Sequence, residues 1–155
     1  MNSQISESRF ESTDIRQHTR LPDFLIIGAA KSATTTLYEY LTRQQAIFMS
    51  PEKEPCYFSH DDVYAKGEDW YRSLFAGARD DQICGEASTT YSRWPQYPHA
   101  AERIARAIPQ ARFIYVMRHP VERIYSFYGH RMRLQVTMTL EQFLTAVPEA
   151  IDSSF

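Results

Sequence analysis

The 155 residues hold two cysteines, five glycines, a formal charge of only −2, and no apolar run long enough to cross a membrane. A spanning helix needs about 20 consecutive, mainly apolar residues, so none is expected. Cys56 and Cys84 are too few for a disulfide framework, and no spacing fits a metal site. The small net charge removes any global attraction to nucleic acid or to an anionic membrane. An anion site must therefore be local. Residues 1–20 are polar, with mixed charges and no apolar centre, so neither a secretory signal nor a core element is expected in them. They read as a mobile arm, and the expected location is cytoplasmic. No internal repeat or low-complexity segment occurs. What remains is 43% hydrophobic and 14% aromatic, the composition of a globular chain, and its length allows one domain over 21–155.

The chain is organised around Asp23-Phe-Leu-Ile-Ile-Gly-Ala-Ala-Lys-Ser-Ala-Thr-Thr-Thr-Leu37. The apolar run at 24–27, closing on Gly28, suits a strand buried on both faces of a parallel sheet. Leu37, Tyr38 and Leu41 then recur at helical spacing. Strand, small-residue turn and helix start make an anion cradle. Free backbone N–H groups and the positive end of the helix dipole converge on one spot, and Lys31 adds a full charge. A phosphate or sulfate ester belongs there. The Walker A pattern G-x-x-x-x-G-K-[ST] fails, because its glycine positions hold Leu25 and Ala30.

Further along, 47–49 is a short apolar piece and Ser50-Pro-Glu-Lys-Glu-Pro55 a loop marked by two prolines. Trp70, Tyr71, Leu74 and Phe75 predict an amphipathic helix within 62–75. Residues 82–84 form a second short buried strand, with Cys84 a buried thiol, and a Ser/Thr-rich loop follows. Ala101, Ile104, Ala105 and Ile108 lie at helical spacing, and 113–117 is a third strand. Val121, Ile124, Tyr125, Tyr128 and Met132 mark a long helix; Leu140, Phe143, Leu144 and Val147 mark another. Strands alternating with helices imply right-handed crossovers and a parallel sheet, an α/β fold.

The third strand runs into Arg118-His-Pro-Val-Glu-Arg-Ile-Tyr-Ser126, at the sheet edge where open α/β folds bind ligands. Pro120 suits a first helical turn. Arg118 offers a planar fork to a phosphate, and Ser126 a hydroxyl two turns into the helix. The bland alternative is an exposed helix start with Arg118 paired to Glu122. Magnesium-dependent P-loop enzymes usually carry an aspartate near this place to help hold the metal. Arg118 has the opposite charge, which points to an anion site working without Mg²⁺. In Lys53-Glu-Pro-Cys-Tyr-Phe58, Glu54 stands on a proline-flanked loop and is a candidate general base for transfer to a hydroxyl. The plain reading of such a loop carboxylate is that it is only solvated.

Taken together these segments resemble the sulfotransferases that use 3′-phosphoadenylyl sulfate (PAPS), over about residues 22–147. Lys31-Ser32-Ala33-Thr34-Thr35-Thr36-Leu37 is similar to their 5′-phosphosulfate loop K-x-G-T-T-x-L, with Ala33 in place of the glycine. Arg118, Pro120, Arg123 and Ser126 match R-x-P-x-x-R-x-x-S. Lys53 to Phe58 matches K-E-x-x-[YF]-F of the heparan-sulfate and bacterial polysaccharide type, and Gly85-Glu-Ala-Ser88 with Tyr91 matches a further segment. The resemblance implies a P-loop-like three-layer fold and no metal. It implies that residues 31–36 hold the 5′-phosphosulfate and that Arg118 and Ser126 hold the 3′-phosphate. Glu54 would be the base, with Lys31 sharing in catalysis, and the acceptor a hydroxyl, most often on a carbohydrate. Adenosine 3′,5′-bisphosphate (PAP) would be the product. Ala87 stands where heparan-type enzymes have lysine, which argues against a polyanionic, heparan-like acceptor. Two other classes stay open: a phosphate-ester kinase and a nucleotide-binding module without catalysis. Family members continue with another strand, further helices and a basic loop that closes over the 3′-phosphate. Nothing in 137–155 resembles that loop, so the expectation is an N-terminal portion of the domain that binds PAP weakly and tends to associate.

Overall fold

In the computed structural model, which describes residues 20–134 and 138–145, four parallel strands form one sheet in the order β2-β3-β1-β4. They are β1 (Phe24–Gly28), β2 (Ile47–Met49), β3 (Ile83–Ala87) and β4 (Arg112–Tyr115). Phe24 pairs with Gly85 on one side and Arg112 on the other, so the first strand of the chain lies in the interior of the sheet. Leu25 and Ile26 are fully buried there, as a run without polar alternation requires. The short apolar piece at 47–49 is a strand in its own right, so the sheet has one more strand than the sequence reading counted. The mobile-arm expectation for 1–20 falls almost wholly outside the described residues, as do Val147 and 151–155.

Helix α1 (Thr34–Thr42) follows β1, and Leu37, Tyr38 and Leu41 pack against Phe24, Ile26, Met49 and Ala87. The single helix expected within 62–75 is instead two, α2 (Asp61–Tyr64) and α3 (Glu68–Ser73). Gly67 divides them at φ 85, a conformation that favours glycine. The aromatic content of this segment is core all the same. Tyr57 stacks on Tyr71 at 4.4 Å, and Phe58, Phe75 and Tyr91 close around them, against Leu25 and Cys84.

Helix α4 (Ala100–Ala107) buries Ala100, Ile104 and Ile108, while Ala101 and Ala105 face solvent. The apolar face is rotated by one residue from the expected one, and its i, i+4, i+8 row joins the core that holds Leu25, Phe58 and Tyr91. The 14-residue helix α5 (Pro120–Arg133) begins with Pro120 in its first turn. Residues 140–145 are helical, and Phe143 packs on Phe127 and Tyr128. Strand β4 is shorter than the expected 113–117 and is an edge strand. Phe113 is 55% exposed and Met117, beyond its end, 82%.

The chain leaves all four strands toward one side. Residues 29–33 follow β1, 50–56 follow β2, 88–93 follow β3 and 116–119 follow β4. Gly28 leaves room for the segment after β3 and for the β4 side chain beside it, since a side chain there would clash with Ser92 Oγ and the Tyr115 ring, both 2.6 Å from its β-carbon position.

Candidate active site

Residues 29–33 turn tightly from β1 into α1, with Ser32 N–H donating to the Ala29 carbonyl (3.2 Å). The first intrahelical bond of α1 runs from Leu37 N–H to Ala33 O, which leaves the N–H groups of residues 34–36 without helical acceptors. This is the expected cradle. Lys31 and Ala33 both adopt left-handed backbone, φ 66 and 64. Ala33 therefore carries strain that glycine would not, of about 1–2 kcal/mol. Lys31, Ala33, Thr34 and Thr35 line a cavity of about 510 Å³. Ser32 is buried beneath the loop with an unpartnered hydroxyl, and Thr36 points to solvent in the first helical turn. Neither side chain lines the cavity, so any part they play runs through their backbone. The Lys31 ammonium has no ion-pair partner among the described residues.

Glu54 faces the same cavity. Its loop is stitched to the end of β3: Ser50 N–H donates to Gly85 O (2.8 Å) and Glu54 N–H to Ala87 O (2.9 Å). Cys56 N–H donates to Ser88 Oγ (3.0 Å). Glu54 and Cys56 are left-handed too, φ 58 and 56. Tyr38 on α1 donates to the Ser50 carbonyl (2.7 Å), which ties the helix behind the cradle to the Glu54 loop. The Glu54 carboxylate is paired with Lys53 Nζ at 3.1 Å and accepts from Thr89 Oγ1 at 3.3–3.4 Å. Burial pushes the neighbouring Cys56 thiol above its ordinary range.

Arg118, in the segment after β4, and Ser126, on α5, complete the cavity wall. Arg118 also pairs with Glu122 at 3.2 Å, the bland contact, yet its side chain stays 40% exposed and on the cavity wall. Arg123 reaches back to donate to Ala30 O (3.0 Å), tying α5 to the cradle. A second cavity of about 550 Å³ shares Lys31, Arg118, Ser126 and His130 and runs along α5.

Sequence reasoning missed four residues. Thr89 orients Glu54. His130 lies one turn beyond Ser126 on the same helix face, a spacing that was available to find it. Arg93, next to the short 3-10 helix at Thr89–Ser92, lines the cavity. Glu86 points into the aromatic core, fully buried, with Oε1 unpartnered and Oε2 accepting a long bond from Ser88 Oγ (3.5 Å). Burial, reinforced by the charge of Glu54, pushes its pKa up to about 8. It is a neutral acid near pH 7, and Ser88 links it to the Glu54 loop.

No family model matches the chain. The bifunctional heparan sulfate N-deacetylase/N-sulfotransferase 2 of Homo sapiens is 36% identical over 119 residues, 72% of this chain and 13% of that protein. The membrane-associated sulfotransferase kil1 of Dictyostelium discoideum is 35% identical over 111 residues, 70% of this chain and 22% of that one. A solved sulfotransferase from Alicyclobacillus acidocaldarius superposes with a TM-score of 0.73 at 32% identity, over 88% of this chain and 60% of the other. The chain is a homologue of the sulfotransferases. As such a homologue it spans less than a quarter of these two curated relatives. Its parallel sheet with helices is the P-loop-like fold of the solved neighbour.

Proposed function

We propose that the chain carries the donor site and the base of a sulfotransferase moving a sulfuryl group from PAPS to an acceptor hydroxyl on a carbohydrate. The observation that carries this reading is one cavity lined by both an anion cradle and a loop carboxylate. Lys31, Thr34, Thr35, Arg118 and Glu54 all line it, at the helix start where the N–H groups of 34–36 have no helical acceptor. The donor set fits a nucleotide bearing two separate anionic groups, with residues 31–36 for the 5′-phosphosulfate and Arg118 with Ser126 for the 3′-phosphate.

When bound, the donor supplies an activated sulfuryl group on a phosphate leaving group. Glu54 takes the proton that the acceptor hydroxyl loses as its oxygen bonds to sulfur. Thr89 and Lys53 hold the carboxylate in one orientation. Lys31 and the free N–H groups neutralise charge left on the phosphate oxygen as the bond to sulfur breaks. No carboxylate besides Glu54 lines the cavity, and the chemistry we propose uses no metal. The homologues named for heparan sulfate support a glycan acceptor.

Calorimetry with PAP and with ATP tests the donor. PAP should bind and ATP should not compete with it, and excess EDTA should leave any turnover intact. ATP binding that needs Mg²⁺ would replace this reading with a kinase.

A further inference from the structure

We infer that Arg93 is an acceptor-binding residue that selects for an anionic group, a carboxylate or sulfate ester, beside the hydroxyl to be sulfated. This rests on the sulfotransferase reading and deepens it.

Three observations carry it. Arg93 lines the same cavity as Glu54, Thr89 and Lys31. Its Nε is shut off from solvent with no hydrogen-bond partner, and no carboxylate pairs with its guanidinium among the described residues. By contrast Arg72, Arg79, Arg103, Arg106 and Arg118 each have a carboxylate within reach. A guanidinium partly removed from water and left unpaired is costly, and an anion brought by a ligand is what satisfies it.

Its position says which ligand. Arg93 is carried at the end of the 3-10 helix whose first residue, Thr89, donates to Glu54. That helix is pinned to β1 by Ser92 Oγ on Ile27 O (2.7 Å). Arg93 is therefore fixed relative to the base, where the acceptor hydroxyl must sit, while the donor's anions have Lys31, Arg118 and the cradle. A planar, bidentate fork suits a uronate carboxylate or a sulfate ester and gives little to a neutral sugar.

The test uses the full chain saturated with PAP. Binding is measured for a hexuronate-containing oligosaccharide and for the same oligosaccharide with its carboxyls reduced to alcohols, and likewise for a sulfated oligosaccharide and its desulfated form. Wild type should prefer the anionic member of at least one pair by about tenfold or more, as expected for a desolvated charge pair. Arg93→Gln should erase the preference while keeping PAP affinity within about twofold, and Arg93→Lys should keep part of it, which separates charge from folding. Equal behaviour of wild type and Arg93→Gln toward every pair overturns the inference. So does a parallel loss of PAP affinity, which would place Arg93 on the donor. Failure of wild type to bind PAP at all would instead sink the sulfotransferase reading.

Discussion

Glu54 has two neighbours that fix its direction, Lys53 and Thr89, and one cavity to face. Glu54→Gln keeps the shape and removes the basicity. Transfer should fall by about a hundredfold or more while PAP affinity holds, because the carboxylate acts on the acceptor. A variant retaining most of the activity would assign the base elsewhere. Arg118→Ala should weaken PAP by roughly 1.5–3 kcal/mol, the worth of a charge-assisted hydrogen bond. Adenosine 5′-phosphosulfate, without the 3′-phosphate, should bind the variant as well as wild type; equal losses in calorimetry would make Arg118 structural. Glu86 predicts a pH effect. Its folded pKa near 8 lies above the ordinary 4.5, so the native state holds a proton that the unfolded chain releases. The stability this contributes is whole below about 4.5 and drains away toward about 8, by up to about 1.4 kcal/mol per pH unit. Urea denaturation of Glu86→Gln should lose that slope. If the variant follows wild type across the window, another group titrates.

At the scale of elements, the two loops facing the cavity hold four non-glycine residues in left-handed backbone: Lys31, Ala33, Glu54 and Cys56. Ala33→Gly should raise the unfolding free energy by about 1 kcal/mol, since glycine bears φ 64 without penalty. Unchanged or lower stability in denaturant titration would show that the alanine is relaxed where it stands. The cradle, the base loop and the Arg118 helix were legible in the sequence because each is a local motif whose parts lie within nine residues or so. Arg93 and Glu86 were not. What marks Arg93 is a missing partner, and what marks Glu86 is a wall of aromatics from 57, 71 and 91. Neither is written in local spacing. The break at Gly67 was visible as a glycine, yet the apolar residues that marked the helix all lie beyond it and said nothing of where the helix begins.

For the molecule as a whole, β4 is the conspicuous feature. An interior-type apolar strand sits at the sheet edge with Phe113, Tyr115 and, beyond it, Met117 and Val121 exposed. Such an edge is a template for pairing with another chain. Sedimentation should show concentration-dependent association of the 155-residue polypeptide, reduced in Phe113→Lys. A monomer at all concentrations, or association indifferent to that substitution, would mean the edge is inert.

The central place of β1 has a consequence for how the protein is made. Phe24 leaves the ribosome long before Gly85 and longer still before Arg112, the two residues it must lie between. At about 5–20 residues per second, its apolar run waits several seconds with no neighbour to pair with. Helix α1 can form in that interval, but the cradle has no sheet to stand on until β3 and β4 have emerged. The proposed donor binding would thus belong to nearly the whole described chain and be acquired late in synthesis, and a nascent chain halted before β4 should show none of it.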